Sequence, residues 1–259
     1  MEIGMNELQD ILKQLRILKA YSLFLTAALV LMWFAGFISP PSREHIKEID
    51  VERINVVDSA GHAQLVISNE ADSPPPLFHG KPFGIAGGGR PGIIFYNDEE
   101  TECGGLVFSG HTDSTGEYSA TAQLSFDQYN QNQVAYLRYM DDNGQRETGL
   151  HIDDWHNSPP FPKWRAMYSA ARRMPEGPER REALKQVMEP TRGHPAFAQR
   201  VFVGRDTNDA AIVVLADKSG RPRIEMAVDS LGGAKLEFLD SGGHVTFSLP
   251  DTSNRKPLR

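Results

Sequence analysis

The C-terminal part of the chain alternates apolar and polar residues in short runs. Between residues 217 and 250, clusters of Asp, Ser and Gly separate three such runs. The apolar positions are Ile224, Met226 and Val228, then Leu236 and Phe238, then Val245, Phe247 and Leu249. Period-two alternation bounded by turn residues is typical of antiparallel strands joined by tight turns. This stretch therefore predicts a β-meander.

The turns share an Asp-x-x-Gly spacing, which occurs at residues 58–61, 217–220, 229–232 and 240–243. Asp can accept hydrogen bonds from the backbone that follows it, and Gly tolerates the positive φ at the end of such a turn. Short apolar runs continue between residues 54 and 152, where Asn143-Gly144 predicts a two-residue hairpin. We therefore predict a mainly β domain over residues 49–250, an antiparallel meander that is a barrel, a sandwich or solenoid-like.

The repeated Asp-x-x-Gly hairpins resemble those of bacterial single-pass membrane-anchored proteins with no assigned activity. The resemblance covers residues 50–250. It implies a membrane anchor followed by a β-rich domain, and it implies no reaction, ligand or cofactor.

The N-terminal pattern is helical. Residues 1–19 predict a cytoplasmic amphipathic helix, and residues 20–38 predict a transmembrane helix, since no charge occurs between Lys19 and Arg43 and about 20 apolar residues span a bilayer core. A buried core helix and a cleaved signal peptide are the alternatives, but the leading segment is long and lacks a clear cleavage site. A slight excess of Lys and Arg before the span favours a cytoplasmic N-terminus. The bulk of the chain would then be extracytoplasmic, after a linker at residues 39–48 and before a disordered tail at residues 251–259.

Residues 159–200 interrupt the strand pattern with two runs of helical composition, which predict a helical insertion. The insertion is locally basic in an otherwise acidic chain. It is either a solvated helical hairpin on the sheet or a docking element for an acidic protein or anionic lipid headgroups. The residues predicted to bind a partner are Trp164, Arg165, Tyr168, Arg172, Arg173, Arg180 and Arg181.

Charge and cysteine content narrow the function classes. The formal net charge of −7 argues against a nucleic-acid-binding protein, because such proteins need a basic face. Cys103 is the one cysteine, so neither an intrachain disulfide nor a cysteine-based zinc cluster can form. We expect no cofactor, and self-association into a homo-oligomer stays open.

The densest group of titratable residues lies between residues 151 and 156. His151 and Asp153 would share one face of a strand, and Asp154 and His156 the other. His151, Asp153 and His156 are weak metal-ligand candidates, because the sequence supplies no further ligand.

Two functions remain: a membrane-tethered β module for protein interaction or assembly, and a membrane-anchored hydrolase or metal-dependent enzyme on a β scaffold.

Overall fold

The computed structural model describes residues 4–37, 45–84, 86–190 and 194–250. The chain divides into two compact units, residues 1–50 and residues 51–259. The predicted tail at 251–259 and most of the predicted linker, residues 39–44, lie outside the described residues.

The first unit contains one continuous helix, α1 (Met5–Phe37). Within Glu7–Phe34, an 18-residue window has a mean hydropathy of 1.8, and none of that window is buried. In this helix Leu23 and Phe24 are each 72% exposed. Its length and composition suffice to cross a membrane. The predicted amphipathic and transmembrane segments form a single helix.

The second unit is built on an antiparallel sheet of twelve strands. The strand order is β1-β2-β5-β6-β7-β8-β9-β10-β11-β12-β13-β14, and β3 and β4 form a separate two-stranded hairpin. The first seven strands are β1 (Arg53–Val57), β2 (Ala63–Ser68), β3 (Leu77–Phe78), β4 (Lys81–Pro82), β5 (Gly92–Tyr96), β6 (Glu102–Thr112) and β7 (Tyr118–Asp127). The others are β8 (Gln133–Asp142), β9 (Gln145–Trp155), β10 (Phe197–Arg205), β11 (Ala211–Ala216), β12 (Pro222–Val228), β13 (Ala234–Leu239) and β14 (Val245–Leu249). The mainly β meander is confirmed, and it is one open sheet with edges at β1 and β14.

The turns between strands repeat one geometry. In the first, Asp58 Oδ1 accepts hydrogen bonds from the backbone N–H groups of Ala60 and His62, at 2.8 and 2.9 Å. Gly61 completes the turn with a φ of 91°. The same pair of bonds occurs at Asn97, Asp113, Asp206, Asp217, Asp229 and Asp240. These side chains replace the backbone partners that a tight turn removes.

The predicted insertion is helical and is packed on the sheet. It consists of α2 (Phe161–Arg173) and α3 (Pro178–Met188). The Trp155 ring at the end of β9 lies 4.8 Å from Phe197 and 5.1 Å from Trp164. Trp164 also donates its indole N–H to the Val187 carbonyl, at 3.1 Å. The Trp164 indole of α2 therefore contacts both α3 and the sheet.

Candidate functional site

The register places two complete apolar rows on one face of the sheet, which we call the front face. Residues that pair across strands point to the same side, so a row can be followed from β1 to β14. The first row is Ile54, Ile67, Ile93, Leu106, Leu124, Leu137, Leu150, Val203, Val213, Met226, Leu236 and Leu249. The second row is Val56, Leu65, Phe95, Gly104, Phe126, Ala135, Ile152, Val201, Leu215, Ile224, Phe238 and Phe247. Neither row contains a polar or charged side chain.

Many residues of these rows are exposed to solvent, whereas others, such as Phe95 and Ile152, are half-buried and Gly104 is buried. Leu137 is 56% exposed, and Phe126, Met226 and Phe247 are each 54% exposed. A monomeric soluble protein rarely exposes a continuous apolar patch larger than a few hundred Å². The front face therefore has the character of a binding surface.

One pair of charges at the margin of the front face is formed within the chain by Arg146 and Asp141. Arg146 Nε lies 2.7 Å from Asp141 Oδ2, and Asp141 Oδ1 also accepts the backbone N–H of Gly144. The hydrogen bond from Arg146 lowers the pKa of the Asp141 carboxyl. A partner layer that reaches this margin would meet a neutralised pair.

The opposite face, which we call the back face, is divided. Near β2 and β5 it carries the buried cluster Val66, Ile94 and Tyr96, on which Leu77 of the β3–β4 hairpin packs. Near β12 and β13 it carries Glu225, Glu237 and Lys235, and the Lys235 ammonium lies 2.7 Å from Glu237. One part of the back face is thus covered by the chain itself, and another part is polar.

His151 lies buried in the middle of the back face. Its ring stacks 4.6 Å from Tyr136 and lies 4.8 Å from Phe202. Its Nδ1 is 3.2 Å from the Gln199 amide nitrogen, and Nε2 is 3.5 Å from Glu147. Burial, and then the Arg138 charge, lowers the pKa of His151. The imidazole therefore stays neutral and acts as part of an aromatic stack.

The other residues of the predicted titratable cluster are separated. Asp153 shares the back face with His151, as predicted, and accepts a hydrogen bond from the Tyr136 hydroxyl at 3.2 Å. Asp154 pairs with Arg200, while the His156 ring lies beyond β9, 6.5 Å from the ring of His194. Among the described residues, no three His, Cys, Asp or Glu side chains gather as a metal site would require.

A cavity of about 280 Å³ lies between the β3–β4 hairpin, β6, β7 and α2. Its lining includes Asp127, Glu102, Arg90 and Arg165. Arg90 donates to Glu102 at 2.7 Å and to the Pro74 carbonyl at 2.9 Å. Burial, and then the Glu102 charge, raises the pKa of Asp127 to about 7. The cavity therefore contains a carboxyl group that exchanges its proton near neutral pH.

Sequence reasoning missed this carboxyl group. Asp127 and Glu102 lie on neighbouring strands and come together only through the pairing of β6 with β7. Asp127 Oδ1 and Glu102 Oε2 are buried with no hydrogen-bond partner in the described structure. No local motif signals such a pair, because strand register brings it together.

The predicted partner-binding residues of the insertion divide into two groups. Trp164 and Tyr168 stack on each other at 5.3 Å, and Trp164 belongs to the internal aromatic cluster. Arg165 lines the cavity, and Arg180 lies 3.4 Å from Glu176. Arg172, Arg173 and Arg181 are exposed. These three arginines face solvent, whereas Trp164 is half-buried in the aromatic cluster of the insertion.

Comparison with protein families, with curated proteins and with solved structures finds no match for this chain.

Proposed function

We propose that the chain is a membrane-tethered module for protein assembly, and that its front face is the assembly surface. The observation that carries this proposal is the pair of apolar rows that cross all twelve strands and contain exposed side chains from Val56 on β1 to Phe247 and Leu249 on β14. A sheet with one apolar face reaches a stable state when a second layer covers that face. The β3–β4 hairpin and the insertion, as described within the second unit, pack on the back face, and we infer that the layer on the front face comes from another molecule.

The magnitude of the hydrophobic effect supports this proposal. A fully buried large apolar side chain contributes about 1.5–3 kcal/mol relative to its exposed state. Leu137, Phe126, Met226 and Phe247 each keep more than half of their surface in water. A covering layer would gain the transfer free energy of these side chains and their neighbours together, and this gain is set against an association cost of about 4–15 kcal/mol.

The cellular arrangement is part of the proposal. The α1 helix would span the membrane once, with the N-terminus in the cytoplasm and the sheet outside it. Lys13, Arg16 and Lys19 lie just before the apolar stretch, whereas the next basic residues after it begin at Arg43. The sheets of neighbouring molecules would then all lie on the same side of one membrane.

Thiol labelling in native membranes tests whether the front face is covered. In a Cys103→Ser background, Leu137→Cys places a thiol on the front face, and Lys235→Cys places one on the back face. The two parent side chains have similar exposure, 56% and 45%. We expect the Leu137→Cys thiol to react much more slowly than the Lys235→Cys thiol in membranes, and at the same rate in urea. Equal rates in membranes would refute the proposal.

A second candidate function uses the insertion. Its exposed arginines favour binding to anionic groups, and salt would weaken that binding because the Debye length is about 8 Å at physiological ionic strength. Replacing Arg172 and Arg173 with Glu should reduce binding of the protein in detergent to anionic phosphatidylglycerol vesicles. Binding to neutral phosphatidylcholine vesicles should not change. Unchanged binding to anionic vesicles would argue against this function.

A further inference from the structure

We propose that the layer on the front face is a second copy of this chain, packed face to face about a two-fold axis that passes between β8 and β9. This inference rests on the proposed function, because it identifies what covers the same surface. It adds the identity of the partner, the symmetry and the residues that meet.

The size of the front face fits a stable dimer. Twelve strands spaced about 4.8 Å apart make the two rows about 55 Å long, and two rows occupy about 13 Å along the strands. The area is therefore about 700 Å² for each copy, close to the roughly 800 Å² per partner of a standard stable interface. The apolar residues that flank the rows, such as Phe108 and Val228, extend it further.

The extent of the rows favours a partner of the same width. They begin at Ile54 and Val56 on one edge strand and end at Leu249 and Phe247 on the other. A narrower partner would leave apolar strands uncovered at one edge. A second copy presents the same number of strands, the same apolar rows and no charge within them.

Symmetry determines which residues meet. In a two-fold interface the same patch is used on both copies, so that a residue and the residue it meets exchange roles between the copies. The sixth and seventh strands of the sheet are β8 and β9, so the axis lies between Leu137 and Leu150, and Leu137 of one copy lies over Leu150 of the second. Leu137 has the highest exposure in the first row, 56%. Away from the axis, Ile54 of one copy lies over Leu249 of the second copy.

Crosslinking of the full chain in its native membrane tests the arrangement. In the Cys103→Ser background, Leu137→Cys should react with a short bis-maleimide to give a product of twice the 28.8 kDa chain mass. Leu150→Cys, across the axis, should give the same product and serves if the first variant accumulates poorly. When differently tagged copies are expressed together, Ile54→Cys in one and Leu249→Cys in the other should also crosslink. Lys235→Cys, on the back face, is the matched control and should stay monomeric.

Affinity provides an independent measurement. Leu137→Asp places one carboxylate from each copy near the axis. The dimer would have to remove both carboxylates from water. Dimerisation of the full chain in detergent, followed by sedimentation, should weaken about a hundredfold or more. Lys235→Asp should leave it unchanged.

The outcomes separate this inference from the proposed function. If Leu137→Cys is protected from labelling in membranes but neither it nor Leu150→Cys gives a doubled product, another protein covers the face. The second copy is then wrong, and the assembly function stands. If Leu137→Cys is labelled freely and forms no product, both are wrong. A complex of three or more copies in sedimentation would overturn the two-fold arrangement.

Discussion

Asp127 gives the domain a specific dependence on pH. Its carboxyl has a pKa of about 7 in the folded protein, against about 3.9 in an unfolded chain. Between these values the unfolded state releases the proton first, so the folded state binds more protons. The free energy of unfolding therefore falls as pH rises from about 4 to about 7.

The size of this effect follows from the shift. One pKa unit corresponds to about 1.36 kcal/mol, so the carboxyl costs the folded state up to about 4 kcal/mol at pH 8. Asp127→Asn removes the titration and keeps the shape of the protonated group. The variant should match the parent only below about pH 4, and it should exceed the parent's stability by about 1–2 kcal/mol at pH 5 and about 2–4 kcal/mol at pH 8. For a domain of this size, the gain at pH 8 is about 4–16 °C in Tm.

Thermal unfolding of the full chain in detergent, followed by near-ultraviolet circular dichroism from pH 5 to 8, measures this difference. Other titrating groups are common to both proteins and cancel in the comparison. Asp113→Asn is the control with the opposite sign, because hydrogen bonds from Thr115 lower the pKa of Asp113. Its carboxylate stabilises the fold at neutral pH and loses that contribution in acid. Parallel Tm curves for the parent and Asp127→Asn would refute the assignment of a raised pKa.

Three further predictions concern packing and topology. Gly149→Ala should lower Tm by about 2–12 °C, because its Cβ would lie 2.4 Å from the Phe202 ring and 2.7 Å from a backbone oxygen. Gly110→Ala is the control, since its Cβ would have its nearest neighbour at 3.5 Å, and it should leave Tm unchanged or raise it. Equal Tm values for the two variants would contradict the close approach at Gly149. Trp164→Ala should make residues 159–200 susceptible to limited proteolysis, because the Trp164 indole holds α2 to α3. Met167→Ala, at an exposed position, is the control and should not increase cleavage. Equal cleavage of the two variants would show that the indole does not hold the insertion in place. Cys103 is partly buried, so it should react with a membrane-impermeant thiol reagent after mild denaturation, and it should do so from the extracytoplasmic side. Reaction from the cytoplasmic side alone would reverse the proposed orientation.

Local patterns predicted most elements of the fold, but not the β3–β4 hairpin, because residues 69–92 were expected to form a loop. The alternation at Leu236 and Phe238 predicted a strand because a half-buried strand repeats every two residues. Four Asp-x-x-Gly turns were recognised because glycine accepts positive φ without strain, whereas the turn at residues 113–116 has the same spacing and was overlooked. The turns at Asn97 and Asp206 were not recognised, because Glu100 and Asp209 take the positive-φ position there, with φ values of 53° and 64°.

The candidate surfaces depend on register, which local pattern does not determine. The alternation assigned Val245, Phe247 and Leu249 to one side of their strand, but it could not show that eleven other strands point apolar residues the same way. The Asp127 carboxyl had no sequence signal for the same reason. The predicted role of Trp164 as a partner anchor is still untested, although its contacts with Val187 and Trp155 place it inside the molecule.

The polarity of the sheet links the proposed anchor to the proposed assembly. A single-layer sheet buries apolar side chains only where another layer covers it, and in the described part of the second unit the hairpin and the insertion pack on the back face. On the front face Leu137 and Met226 are more than half exposed, and under our proposal another molecule would cover them. A tether to one membrane would confine the copies to a thin layer and raise their effective concentration, so that an interface of modest area would stay occupied. The same tether would keep an exposed apolar face from diffusing freely and aggregating before it meets its partner. Under this proposal the helix and the apolar rows are two parts of one arrangement, in which the membrane brings together sheets that complete each other's core.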